Sequence, residues 1–194
     1  MKFLKAAALT IVLAASFTAS AFAAVTQTAT NNDYNTFNYG GAYSFMSIDL
    51  ASGTTNVSAL TTSVTTVDQG WGGQCDCNQV FVGLVDANNN ILWGDHVAGS
   101  THAWSTYDFD LTTDLVGMTN LNALLASYDY SNGNTARLQL FGNNIGWGGW
   151  QLFVNGASMS VTSSASNVPE PGSVALLGLG LVGFMASRRK AAAK

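Results

Sequence analysis

The sequence predicts an all-β protein, a β-sandwich of jelly-roll type, and three observations carry that prediction. Between Tyr34 and Val161 apolar residues alternate with polar ones or gather in short β-rich runs. Turn segments rich in Gly and Asn divide these runs at regular spacing. Helical periodicity is scarce, and only residues 119–126 read as one short helix. Several short strands joined by such turns, with no helix between them, point to two packed antiparallel sheets.

In chain order the predicted strands are 42–50, 54–68, 79–86, 91–94, 105–111, 128–130, 135–141 and 150–161. Asn132-Gly133 predicts a tight hairpin turn, because two-residue hairpin turns require positive φ, which Asn and Gly tolerate. Asp86-Ala87-Asn88-Asn89-Asn90 has oxygen ligands at alternate positions, as a calcium loop does. It lacks the central glycine and the terminal bidentate Glu, so a plain turn between strands is expected.

The ends of the chain belong to a different chemistry. Lys2 and Lys5, the apolar run 6–15 and the small-x-small exit Ala21-Phe22-Ala23 form the three parts of a secretory signal, residues 1–23, cut by signal peptidase before Ala24. The folded body is expected over 24–163, followed by a linker at 164–167. At the far end, Val168, Pro169, Glu170 and Pro171 precede an apolar run, 174–186, and the basic cluster Arg188, Arg189 and Lys190. Thirteen helical residues make about 20 Å, against a hydrocarbon core of about 30 Å. A short membrane helix held by cytoplasmic cations suits a processing signal better than a permanent anchor.

Val168-Pro169-Glu170-Pro171, the glycine-rich apolar run and the terminal cations resemble the PEP-CTERM sorting signal, over residues 168–194. That resemblance implies an exosortase partner that cleaves near the motif, and a Gram-negative host that makes exopolysaccharide. Gly178-Leu179-Gly180-Leu181-Val182-Gly183 also satisfies the GxGxxG dinucleotide pattern, but no acidic residue follows at the required distance, so the match is accidental.

Charge narrows what the body can do. The chain has net charge -4, and between residues 6 and 187 the only Lys or Arg is Arg137. An acidic, lysine-free surface repels phosphate backbones, which argues against nucleic acid. Catalysis is not expected either. The sole Glu, Glu170, lies in the tail, and no Gly-x-Ser-x-Gly elbow is present.

Binding is the better expectation. Asp68-Gln69-Gly70-Trp71-Gly72-Gly73 and Asn144-Ile145-Gly146-Trp147-Gly148-Gly149 repeat a Gly-Trp-Gly-Gly core. Aromatic faces stack on the apolar faces of sugars while Asp, Asn and Gln bond their hydroxyls, so Asp68, Gln69, Trp71, Gln74, Asn144 and Trp147 are the candidate ligand residues. The five indoles serve equally to fill a core. With His102-Ala103-Trp104 and the closing strand, these segments are similar to galactose-binding-like jelly rolls over residues 40–163, which implies a carbohydrate, such as the host's exopolysaccharide, as partner. Cys75 and Cys77 form a disulfide, remain free thiols, or join His96 and His102 around zinc. No cofactor is expected, although the Asp-rich surface leaves room for a structural calcium ion. A matrix protein that binds no ligand, and a hydrolase built on Asp pairs, are the alternatives.

Overall fold

The computed structural model describes residues 24–69, 77–146 and 148–165. The signal segment, the sorting tail, Trp71, Gln74, Cys75 and Trp147 lie outside the described residues. The described body is a sandwich of strands β1 (Ala24–Asn38), β2 (Gly41–Asp49), β3 (Thr54–Asp68), β4 (Asn78–Val85), β5 (Ile91–Ala98), β6 (Ser105–Asp110), β7 (Arg137–Asn144) and β8 (Gln151–Ala165), with one α-helix, α1 (Leu115–Ser127), flanked by two short 3-10 turns between β6 and β7.

One sheet runs β1-β8-β3-β6 and the other β2-β7-β4-β5, and every pairing is antiparallel. First pairs with last: β1 with β8, β2 with β7, β3 with β6 and β4 with β5, in alternating sheets. A long antiparallel ribbon rolled up on itself produces this order, and it is the eight-stranded jelly roll.

Period-two alternation builds the core. In β8, Leu152 and Val154 and, beyond the irregularity at Gly156, Met159 and Val161 are fully buried, while Phe153, Ser158 and Ser160 between them are only partly buried. They meet Leu60 and Val64 of β3, Val82 and Leu84 of β4, and Leu138 and Leu140 of β7 in one cluster. Each such side chain contributes about 1.5–3 kcal/mol by leaving water. Phe37 of β1 lies directly on Gly142 of β7, where an added Cβ would stand 2.4 Å from the ring. The helix closes one end with Leu121 and Leu125, one turn apart and both buried. Asp114 caps it by accepting from the Val116 N–H at 3.0 Å. From the same helix Asn122 accepts from the Val57 N–H at 2.7 Å and donates to the Val57 carbonyl at 3.0 Å. Those two bonds satisfy backbone groups of β3 where its register with β8 slips.

Several sequence expectations need correction. β1 was not anticipated: it lies within the expected body, 24–163, but the first predicted strand began at residue 42. Residues 128–130 are not a strand: they follow α1, and their aromatic rings pack together while Tyr128 Oη donates to the Thr135 carbonyl and Tyr130 Oη to the Thr54 carbonyl. Asn132 and Gly133 do adopt positive φ, 58° and 77°, but they turn the chain from helix to strand rather than from strand to strand. The helix starts earlier than predicted, at Leu115, and β8 runs to Ala165, into the expected linker.

Gly142→Ala should force Phe37 from its seat and cost about 1–3 kcal/mol, the range for overpacking a core. Urea denaturation measures it. An unchanged midpoint would show that the Phe37 ring moves freely.

Candidate functional site

The outward residues of the first sheet form a nearly unbroken hydroxyl surface. Alternation puts Thr26, Thr28 and Thr30 of β1 on it, beside Ser158, Ser160 and Thr162 of β8, then Thr61, Ser63 and Thr65 of β3. Neighbouring strands bring the hydroxyls together: Thr26 with Thr162 at 2.9 Å, Thr28 with Ser160 at 3.4 Å, and Thr65 with Thr106 at 2.8 Å. Asp108 and Asp110 of β6 close the far side, opposite Ser63 and Thr61. Hydroxyls and carboxylates of all four strands line a shallow depression of about 310 Å³ on this face.

At one end the surface turns aromatic. Register slips between Asn31 and Tyr34, and beyond that slip Tyr34 and Phe153 face outward, their ring centroids 5.8 Å apart. Trp104, just ahead of β6, meets Tyr34 edge-to-face at 6.1 Å. Tyr34 is 58% and Trp104 47% exposed, so the rings present open area beside the hydroxyl rows. The outward side of the other sheet differs: Phe81 and Phe141 stack there at 4.9 Å and cover Gly83 and Gly94.

Asp110 accepts from the Thr112 hydroxyl at 2.6 Å and the Thr112 N–H at 2.9 Å, which hold its carboxyl below the ordinary value of 3.8. Asp86 shows a similar effect at the β4–β5 turn. The Asn90 side chain foremost, then the N–H groups of Asn90 and Asn88 and the Arg137 charge, keep it ionised below that value. Asn89 takes positive φ, 65°, and its Oδ1 accepts from Arg137 Nη2 at 2.7 Å, so this segment is a hairpin turn.

The residues singled out in the sequence do not all meet on this face. Asp68, at the end of β3, is nearly buried and pairs with His102 Nδ1 at 2.5 Å. Gln69 follows it with its Oε1 buried. Asn144 is 0% exposed, and its side chain donates to the Trp150 carbonyl and accepts from the Gly146 N–H at 3.2 Å. It pins the turn into β8 and offers no atom to a ligand. Of the indoles, Trp93 packs on the core and Trp150 lies against Gly146, which leaves Trp104 as the open one among the described residues. Cys77 is disulfide-bonded, and a disulfide sulfur is not the thiolate that the zinc alternative needs. The chain's other cysteine, Cys75, lies outside the described residues. Among the described residues no group of three or more His, Cys, Asp or Glu is placed to hold a metal ion.

A protein-family model, the PEP-CTERM protein-sorting motif, matches residues 167–190. The chain carries this sorting motif. It marks an exported, surface-sorted protein of Gram-negative bacteria that an exosortase processes. No helix among the described residues is long and apolar enough to cross a membrane, and the predicted apolar run, 174–186, lies outside them.

No curated protein matches the chain. Among solved structures it is similar to infectious bursal disease virus, Gx strain, with 12% identity over 76% of this chain and 33% of that one, and a TM-score of 0.42. Latent PorU from Porphyromonas gingivalis matches with 10% identity over 76% of this chain and 14% of that one, at 0.38. The EclA C-terminal domain, a sugar-binding protein, matches with 13% identity over 66% of this chain and 78% of that one, at 0.29. The chain spans about a third of the viral chains it matches. The jelly-roll assignment rests on the strand order alone.

Asp86→Asn should lower stability near neutrality and matter less in acid. A carboxyl whose folded pKa lies below its unfolded value stabilises fully above that unfolded value and loses the effect as pH falls through the folded one. Urea midpoints of wild type and variant should therefore differ at pH 7 and converge as pH drops below about 4. An equal gap at both pH values would refute the assignment.

Proposed function

We propose that this exported protein is a polysaccharide-binding module of the cell surface or exopolysaccharide matrix, and that its binding face is the hydroxyl surface of the first sheet with its aromatic end. The exposed Tyr34–Trp104 pair beside rows of Thr and Ser carries the reading. A pyranose presents an apolar C–H face and a polar rim. Indole and phenol rings accept the first, while hydroxyls and carboxylates that both give and take hydrogen bonds serve the second. A shallow face fits a stretch of polymer better than a small enclosed ligand.

Electrostatics selects the polymer. The face carries Asp108 and Asp110, and Arg137, the one Lys or Arg of the body, is engaged at the β4–β5 turn. Uronate- or sulfate-bearing chains are repelled, while neutral and amine-bearing ones are not. Binding without hydrolysis is the matching activity. A glycosidase general acid needs a raised pKa, and Asp110 is held in the opposite direction.

Affinity electrophoresis against neutral, amino and uronate polysaccharides tests the proposal. Binding is expected for one of the first two classes, and Trp104→Ala should weaken it about tenfold or more, with the β-sheet circular dichroism unchanged. Lack of affinity for every neutral and amino polymer would overturn the function. Normal binding by Trp104→Ala with loss in Trp71→Ala or Trp147→Ala would move the site to the Gly-Trp-Gly-Gly segments.

A further inference from the structure

A four-stranded sheet has two edges, so this sandwich has four, and three are protected. β6 is short and carries the exposed Asp108 and Asp110. β5 carries Asp95 and packs beside α1. β2 is bridged from the other sheet, where Gln27 Nε2 donates to the Asp49 carbonyl at 2.9 Å and Asn31 Nδ2 to the Phe45 carbonyl at 2.8 Å. Short length, charge and side-chain cover are the devices by which sheet edges avoid pairing with other chains.

Among the described residues β1 has none of them. It is fifteen residues long, ends its sheet, and pairs with β8 alone. Its first eight residues are in unbroken register with β8 and contain neither a charged side chain nor proline. Its one charged residue, Asp33, sits in the register slip, where its N–H binds Asn31 Oδ1 at 2.8 Å. Beyond the Ala24 terminus, the outer rim of residues 25–31 is thus a row of backbone donors and acceptors with no charged side chain.

We infer that this rim pairs with the same rim of a second copy, antiparallel and about a two-fold axis through Thr28. Residues opposite one another in an antiparallel pair share a face, so the outward Thr26, Thr28 and Thr30 must meet outward residues of the partner strand. Centring on Thr28 sets Thr28 against Thr28 and Thr26 against Thr30, repeating the hydroxyl-on-hydroxyl pairing that β1 makes with β8. Centring on Gln27 would instead set Thr30 against Ala24. Because the other three edges are protected, pairing stops at two copies, and the closed dimer carries one eight-stranded hydroxyl face. The inference is independent of what that face binds.

Cysteine cross-linking in the exported protein tests both contact and register. Facing Cα atoms of an antiparallel pair are about 4.5–5.5 Å apart, within disulfide range. Thr28→Cys should give a band of twice the mass on a non-reducing gel, as should the double variant Thr26→Cys with Thr30→Cys. Thr106→Cys, on the β6 edge, should not. In sedimentation, wild type should show a concentration-dependent monomer–dimer equilibrium, and Thr28→Lys, which opposes two cations on the axis, should remain monomeric. A wild-type chain that is monomeric at every concentration would overturn the inference, as would cross-linking of Thr106→Cys equal to that of Thr28→Cys.

Discussion

Everything in this sandwich depends on how the last strand is held. β8 lies between β1 and β3 and pairs with both along most of its length, so residues far apart in sequence must meet before the first sheet exists. Its inner side chains are fully buried. Since side chains alternate along a strand, burying Met159 and Val161 leaves no freedom in the side on which Ser158, Ser160 and Thr162 appear. The core and the hydroxyl face are therefore one constraint seen from two sides. A one-residue slip of β8 would expose its apolar side chains and bury its hydroxyls together.

The single interruption of that alternation makes the aromatic end. Gly156 takes a φ of 91°, and the register slips here against both β1 and β3. An extra residue reverses which side chains point out. Phe153 consequently faces the same side as Ser158, and Tyr34 emerges next to it. Without the slip this end would continue on the opposite parity, with Phe153 turned inward and Val154 outward. Hydroxyl rows and aromatic rings share a face because of one bulge.

How much of this could be read from the sequence varies by element for identifiable reasons. β3, β4 and β8 carry large apolar residues at alternate positions, and their strands were legible to within a few residues. β1 was not, because its inward positions hold Gln27, Ala29 and Asn31, whose work is partly to bond β2 carbonyls rather than to fill a core. Periodicity in hydrophobicity cannot reveal a strand whose inner side is polar. Residues 128–130 failed in the reverse way: aromatic content suggested a strand, whereas burial uses the Tyr130 ring for packing and pushes its phenol up to about 12. Glycine-flanked tryptophans drew attention to Asn144 as a ligand residue, although a buried amide beside such a turn serves the backbone first. The Tyr34–Trp104 contact had no sequence signal, since 70 residues separate two rings that only the rolled ribbon brings together.

The near-absence of cations and the hydroxyl face answer the same requirement. An exported protein must stay soluble, and most proteins do so with mixed charges. Here Thr, Ser and Asn supply the polarity while Asp supplies the net charge. Lysine also serves as the common blunting residue of edge strands, so a body that excludes it must protect its edges by other means. It does so with Asp on β5 and β6 and with Gln27 and Asn31 across β2. Those two side chains belong to β1, and both reach across to β2, so the side chains that cover the neighbour's edge do not cover β1's own.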